Sequence, residues 1–143
     1  MKKYLIEDII KRDGFFASTS VGISMFPMLR NRKDSLVIVP YEGRLKKYDV
    51  PLYKTHGKYV LHRIIEVTPD SYVIRGDNCL EKEYGVTDEQ MVGVLKSFTR
   101  NGKEISVENP IYRIYVWVWC HSFGIRKVFK KIYWKLKRWI KKH

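Results

Sequence analysis

The chain has 143 residues, a length that suits one domain with its own hydrophobic core. Its 45% apolar and 14% aromatic content excludes an intrinsically disordered chain. The formal net charge of +13 predicts an anionic partner surface, and no acidic residue follows Glu108, so the excess charge is concentrated at the C-terminal end. The two cysteines, Cys79 and Cys120, are far apart in the sequence and form no metal-type cluster, so we expect neither a metal nor another cofactor.

The N-terminal stretch is predicted to be a short amphipathic helix over residues 2–12. It has aliphatic residues at helical spacing: Leu5, Ile6, Ile9 and Ile10. Asp13-Gly14 ends this pattern, and residues 15–21 are predicted to be extended. The apolar residues here do not form a run long enough for a signal peptide or a membrane span.

The central region has the alternating and short apolar patterns of β-strands. We predict strands at residues 36–39, 50–54, 59–67, 71–75, 93–100 and 104–107. Residues 59–67 form the clearest strand, with residues 71–75 as its hairpin partner, and Pro51 marks the second strand as an edge or a bulge. Asn101-Gly102 is a hairpin turn, and Thr87 caps a helical turn at residues 86–91. The predicted fold class is mainly β, with residues 1–109 as the β domain (core 15–107) and residues 110–143 as a helical extension.

The extension has two parts. Residues 111–120 are apolar and aromatic, but this run is too short for a membrane span and contains Arg113. Beyond Gly124 an apolar stripe repeats at helical spacing, and nine basic residues with no acid fill the span 126–142. This pattern is typical of a helix on an anionic membrane surface, and the residues expected at that surface are Trp134, Lys135, Arg138 and Trp139. The alternative is a helix packed on its own β domain with a solvated basic face.

Ser24 lies in an apolar stretch that could hold a nucleophile in place. Gly22 permits a sharp turn or a close approach of the backbone, and Pro27 stiffens the segment. A serine hydroxyl is a poor nucleophile until a base lies within hydrogen-bond reach. The sequence must therefore supply such a base if Ser24 is to be catalytic.

His62 is the histidine best placed to be that base. It lies inside the strand predicted at 59–67, where alternation puts it on one face with Val60 and Ile64. A single histidine on an apolar strand face is more often a hydrogen-bonded core residue than a catalytic one. Lys54 and Lys58 are the alternatives if His62 is not the base.

Three short motifs together resemble the signal peptidase I superfamily, which also includes the self-cleaving LexA-type repressors. They are Ser24-Met25-x-Pro27, Leu61-His62-Arg63 and Gly76-Asp77-Asn78. Bacterial signal peptidases carry a lysine at the position of His62, whereas a histidine resembles the endoplasmic-reticulum and spore-former type. The resemblance covers roughly residues 22–96. It implies the complex β fold of that superfamily and a serine endopeptidase that cleaves a peptide or leader segment with small residues near the cut.

The resemblance also implies roles for individual residues. Ser24 is the nucleophile, His62 the general base, and Asp77 the acid that orients the imidazole, with Glu83 as the second choice for the acid. The alternative for Asp77 is a turn residue that hydrogen-bonds its own loop. For the oxyanion, we expect the backbone N–H of Ser24, helped by backbone near Gly22.

The substrate is expected to bind as an extended strand on an exposed sheet edge, in contact with Met25 and Pro27. Two departures from the family pattern matter: residues 32–34 read Arg-Lys-Asp instead of Arg-Gly-Asp, and no membrane span precedes the serine motif. We therefore expect a cytoplasmic processing peptidase, held peripherally at an anionic membrane by its C-terminal helix. A nucleic-acid partner is not expected. The competing hypothesis is a non-enzymatic binding module whose basic helix contacts lipid or nucleic acid.

Overall fold

A computed structural model describes residues 5–142. These residues form three α-helices, one short 3₁₀-helix at Asp88–Gln90, and nine strands. The helices are α1 (Ile6–Asp13), α2 (Pro110–His121) and α3 (Phe123–Lys142). The strands are β1 (Phe16–Thr19), β2 (Ser35–Val39), β3 (Pro51–Thr55), β4 (Lys58–Leu61), β5 (Arg63–Val67), β6 (Tyr72–Arg75), β7 (Glu83–Val86), β8 (Met91–Arg100) and β9 (Lys103–Ser106). The predicted mainly β class with N-terminal and C-terminal helices is confirmed. Residues 2–4 of the predicted first helix lie outside the described part.

The strands divide between two antiparallel sheets. The larger sheet has the order β1-β2-β8-β3-β4, with β9 paired to β8, and the smaller has the order β5-β6-β7. Within the described residues, β1 and β4 are therefore the two outer strands of the main path, and each has one unpaired edge.

The prediction of one continuous strand at 59–67 is wrong. The chain leaves the larger sheet at Leu61, where β4 pairs with β3, and enters the smaller sheet at Arg63, where β5 pairs with β6. His62 is the single residue between the two strands. The apolar alternation runs through this junction because Val60 and Ile64 pack against the same core cluster, so the sequence carries no sign of the break.

Other local predictions fare differently. The hairpin of β5 and β6 is confirmed, as is the capping box between Thr87 and Gln90 at the 3₁₀-helix. Asn101 and Gly102 both have positive φ, as their turn requires. Pro51 opens a strand that lies between β8 and β4, so the edge alternative is wrong, while the register shift beside Leu52 supports the bulge. Strand β7 was not predicted from the sequence.

Two apolar clusters hold the sheets together. The larger joins residues from α1, the Ser24 loop, the larger sheet and α2: Ile10, Met25, Leu29, Ile38, Leu52, Phe98, Tyr112 and Val116 are among its buried members. The smaller is centred on the second sheet, with Tyr53, Ile64, Tyr72 and Ile74 fully buried. Because Tyr112 and Val116 belong to the larger core, α2 is part of the β domain's packing. The predicted boundary at residue 109 is therefore not a boundary of the core.

Helix α3 differs from α2, since none of its described residues is buried. All residues from 131 to 142 are exposed. Among the described residues, no helix combines the length and the apolar character needed to cross a membrane.

Candidate active site

Ser24 lies in a turn between β1 and β2 that is anchored on both sides. Met25 and Leu29 are buried in the larger core, which holds the loop as the sequence suggested. At its start, Gly22 has a φ of 95°, which favours glycine, and its N–H donates to Asn31 Oδ1 at 2.8 Å. At its end, buried Asp34 accepts a hydrogen bond from the backbone N–H of Arg30 at 2.7 Å.

Ser24 and His62 line the same cleft, which has a volume of about 400 Å³. One wall comes from β1 and the segment after it, and the other comes from Tyr59, Val60 and Leu61 of β4. These are the two outer strands of the larger sheet, so the cleft lies between two strands that each have an unpaired edge.

Gly76 brings the serine loop and the histidine together. A Cβ on Gly76 would lie 2.7 Å from the carbonyl oxygen of Ser24 and 3.0 Å from Cδ2 of His62. Asn78, two residues further along this loop, fixes the approach, because its N–H donates to Ser24 O at 2.8 Å and its side chain donates to Ile23 O at 3.1 Å. Within residues 5–142, no hydrogen bond joins the Ser24 hydroxyl to His62, although both residues line the cleft.

The His62 ring contacts a tyrosine that in turn contacts an acid. His62 Nδ1 lies 3.4 Å from the Tyr53 hydroxyl, which donates to Glu83 Oε2 at 2.6 Å. Burial lowers the pKa of His62, and the nearby carboxylates of Glu83 and Asp77 oppose that effect in part. The neutral imidazole, which is the form that can accept a proton, is therefore favoured at neutral pH.

Asp77 does not make the predicted contact with His62. Its Oδ1 accepts from Arg63 Nε at 2.8 Å, its Oδ2 accepts from Arg63 Nη2 at 2.9 Å, and the Tyr115 hydroxyl donates to Oδ2 at 3.1 Å. Asp77 is 6% exposed and Arg63 is 1% exposed. The prediction that Asp77 directly orients the imidazole is wrong, because the adjacent arginine takes both carboxylate oxygens. The alternative of a carboxylate bonded to its own loop is also wrong.

The remaining predicted site residues divide between two places. Met25 lines the cleft although it is mostly buried, whereas Pro27 lines a different cavity with Met28 and Phe98, away from Ser24. The Gly22 N–H is bonded to Asn31 Oδ1, so the predicted help from backbone near Gly22 would have to come from a neighbouring N–H. In the described part of the chain, the Ser24 N–H makes no hydrogen bond to a protein acceptor, so it stays the candidate oxyanion donor.

The alternative bases are placed less well than His62, because neither Lys54 nor Lys58 lines the cleft of Ser24. Lys54 Nζ lies 3.0 Å from Glu7 Oε2, and this hydrogen bond raises the pKa of Lys54, which keeps it protonated. His56 is in a turn and His121 is exposed, with its Nδ1 2.7 Å from the carbonyl oxygen of Trp117, while His143 lies outside the described residues. Among residues 5–142, no group of three or more His, Cys, Asp or Glu is placed to hold a metal ion.

Two residues of the site were missed in the sequence. Tyr53 was counted only as part of a strand, and Arg63 only as part of a motif. Both are almost fully buried with polar groups that need partners, and such partners come from segments distant in sequence. The available signal was the presence of an arginine and a tyrosine in strongly apolar strands, which shows that a partner is needed but not which one.

The C-terminal helix begins beside this site. Lys130 Nζ donates to Asn78 O at 2.9 Å and to Asn78 Oδ1 at 3.1 Å, which connects α3 to the loop that holds Ser24. Beyond it, Trp134 and Trp139 are 47% and 61% exposed, and Lys135 and Arg138 are also exposed. The alternative of a helix packed on its own domain therefore applies to α2, and the second half of α3 has no such packing.

Comparison with models of known protein families gives no match, and no curated protein is significantly similar to the chain. The function is therefore inferred from the residues and geometry of this chain and from the motifs they form.

Proposed function

We propose that the protein is a serine endopeptidase of the signal-peptidase-like superfamily that cleaves a peptide or leader segment. Ser24 is the nucleophile and His62 the general base. The observation that supports this best is the close approach of both residues to Gly76. A Cβ on Gly76 would lie within 3.0 Å of both the Ser24 carbonyl oxygen and His62 Cδ2, and both residues line one cleft. A purely binding function gives no reason to bring a serine loop and a neutral histidine together in this way.

In the proposed reaction, substrate binding brings Ser24 Oγ within hydrogen-bond distance of His62 Nε2, since such contacts are often loose in the free enzyme. His62 takes the hydroxyl proton while Oγ attacks the scissile carbonyl carbon. The Ser24 N–H donates to the oxyanion. His62 then gives its proton to the leaving amine, and water hydrolyses the acyl-enzyme by the same steps in reverse order.

The substrate binds as an extended strand between β1 and β4. An unpaired strand edge offers backbone donors and acceptors in a row, and an extended peptide can satisfy them without a particular sequence. The apolar side chains of Leu36, Leu52 and Tyr59 line the cleft and favour apolar or small substrate side chains. Backbone pairing thus supplies affinity, and the cleft supplies selection at the cut.

The test is cleavage of a proteome-derived peptide library by the full chain, read by mass spectrometry. Ser24→Ala should remove all cleavage that the wild-type chain produces. Ser35→Ala is the matched control, because Ser35 is an exposed serine at the start of β2 whose replacement leaves the cleft intact. Wild-type cleavage that persists in Ser24→Ala, or a wild-type chain that cleaves no peptide, would contradict the proposal.

We further propose that the second half of α3 places the enzyme on an anionic membrane surface. None of the described residues of α3 is buried, its apolar side chains in this half are largely exposed, and its basic residues complement anionic head groups. Each basic residue near such a surface contributes about 1 kcal/mol, and the inserted apolar side chains add a contribution that salt does not screen.

Because α2 belongs to the core, deletion of the whole extension would not test this idea cleanly. Charge variants of the full chain are better: Lys135→Glu with Arg138→Glu on α3, compared with Lys103→Glu with Lys46→Glu at exposed sites elsewhere. Only the α3 pair should weaken sedimentation with phosphatidylserine-containing vesicles, and salt should reduce wild-type binding only in part. Equal effects of the two pairs would contradict the membrane proposal. Binding to RNA or DNA that salt abolishes would instead favour nucleic acid.

A further inference from the structure

The Tyr53 hydroxyl lies between His62 and Glu83 and contacts both. The positions of the protons in these three side chains follow from the distances. A tyrosine hydroxyl has one proton to donate and lone pairs to accept with. The Tyr53 oxygen is 2.6 Å from Glu83 Oε2, a short distance typical of a hydrogen bond to an ionised carboxylate. The tyrosine proton is therefore used by Glu83, and the Tyr53 oxygen is left as an acceptor for the ring nitrogen 3.4 Å away.

We infer that Tyr53 is a positioning residue that couples Glu83 to His62 and holds the imidazole as the Nδ1–H tautomer, with Nε2 free to accept the Ser24 proton. The inference rests on the proposed function and deepens it. The acid of the catalytic site then acts without touching the imidazole. The neutral tyrosine between them sets the position of the proton on the ring.

The surroundings of Tyr53 suit this task. Its side chain is 0% exposed and packs in the smaller core cluster, so its hydroxyl has a fixed position. Burial and the hydrogen bond to Glu83 raise its pKa far above the ordinary value, so the hydroxyl stays protonated. A tyrosine that kept its proton but could move would not select one tautomer.

The other polar groups near the ring do not compete for Nδ1. Asp77 is bonded to Arg63 and Tyr115, and its charge acts on His62 only through space. Cys79 lies beside Gly76, as His62 Cδ2 does, and within the described residues it makes no hydrogen bond to the His62 ring. The charged groups that act on His62 are thus Glu83 and Asp77, and of the two only Glu83 reaches it through a hydrogen-bonded group.

The test is ¹⁵N NMR of the His62 ring in the full chain at a pH where the ring is neutral. The wild-type ring should be mainly Nδ1–H. Tyr53→Phe should shift it to the Nε2–H tautomer that free imidazole favours. Tyr72→Phe is the matched control: Tyr72 is also 0% exposed, lies in the same core cluster and donates to a carboxylate, Asp88 Oδ1, at 2.6 Å, but does not touch His62.

Two further readouts keep the inference falsifiable. Glu83→Gln should leave the Nδ1–H tautomer in place, because a glutamine oxygen still accepts from Tyr53, but should lower the His62 pKa through loss of the charge. Tyr53→Phe should lower kcat about tenfold or more with little change in KM, as expected for a wrong tautomer. A wild-type Nε2–H ring, or an unchanged tautomer in Tyr53→Phe, would overturn the inference. The NMR result is independent of cleavage, so failure of the peptidase proposal would be recognised separately.

Discussion

The neighbouring residues His62 and Arg63 belong to two polar clusters that differ in burial and in charge. Arg63 starts a fully enclosed cluster in which a guanidinium is bonded to Asp77, Tyr112 and the carbonyl oxygen of Tyr48. His62 starts a half-buried cluster with Tyr53 and Glu83, which opens onto the cleft of Ser24. The chain crosses from one sheet to the other at this point, so the two side chains enter different environments.

In the Arg63 cluster a charged group stabilises the fold, whereas in the His62 cluster a neutral imidazole is proposed to take part in the reaction. Burial alone would lower the Arg63 pKa, but the ion pair with Asp77 outweighs it and raises that pKa, so the guanidinium of Arg63 stays charged. For His62 the effect of burial prevails and lowers the pKa, which favours the neutral ring at neutral pH. We therefore expect changes around Arg63 to act on the free energy of unfolding and changes around His62 to act on the reaction rate.

The largest effect should be on activity, at the His62 side. His62→Ala and Ser24→Ala should each lower kcat/KM about 10³-fold or more, since they act in one proton transfer. The double variant should be little worse than either single variant, and thermal unfolding should change little in all three. Multiplicative losses in the double variant would show that the two residues do not act together.

On the Arg63 side, Asp77→Asn should lower the free energy of unfolding by about 3–5 kcal/mol, because it leaves a buried guanidinium without its counter-charge. Urea denaturation measures this. Asp13→Asn is the control: it removes an exposed pair with Arg12 and should change the free energy of unfolding far less than Asp77→Asn does. If Asp77→Asn lowered the rate in a chain of unchanged stability, the division between the two clusters would fail.

The two clusters also show which parts of the site could be predicted from the sequence. Ser24 and His62 could be singled out because their motifs are local, and the structure places both in one cleft. Most strands were predicted correctly because each has its own apolar pattern. The sequence did not predict the partner of either acid. Asp77 and Glu83 both follow His62 in the sequence, and only the folded path of the chain from one sheet to the other decides which side chain each acid contacts. Arg63 took Asp77 because it enters the second sheet beside it, a fact of topology that no local pattern contains.

Strand β7 and the role of α2 escaped prediction for a related reason. Residues 83–86 have no apolar alternation, and Glu83 is held in its strand by pairing with Ile74. The aromatic side chains of α2 resembled those of α3 in composition. Tyr115 and Trp119 nonetheless bind Asp77, whereas residues 131–142 of α3 are all exposed. Composition separated the apolar, aromatic part of the extension from its basic part but could not assign either part its partner.

A substitution at Gly76, which precedes Asp77, should have a smaller effect on both stability and activity. A Cβ there would meet a backbone oxygen at 2.7 Å, and that oxygen belongs to Ser24. Gly76→Ala should therefore cost about 1–3 kcal/mol of unfolding free energy and also lower kcat/KM, because the serine loop must move. Gly124→Ala in α3 is the control, since a Cβ there meets nothing within 4 Å. A Gly76→Ala chain with wild-type stability and rate would contradict the close approach of the two loops.

The smallest expected effect is on the pH dependence of stability, measured for the wild-type chain and for a variant that lacks His62. The pKa of His62 is lowered by burial from 6.5, so below that pH the unfolded chain binds a proton that the folded chain does not yet hold. The neutral ring's contribution is therefore complete above pH 6.5 and is lost as the pH falls from 6.5 through the lower folded pKa. Wild-type stability should decline in this window relative to His62→Gln, with the titration of all carboxylates common to both chains. The acid limb of kcat/KM should likewise lie below pH 6.5. An acid limb above 6.5 would mean that charge near His62 prevails over burial, and the contrast with Arg63 would be lost.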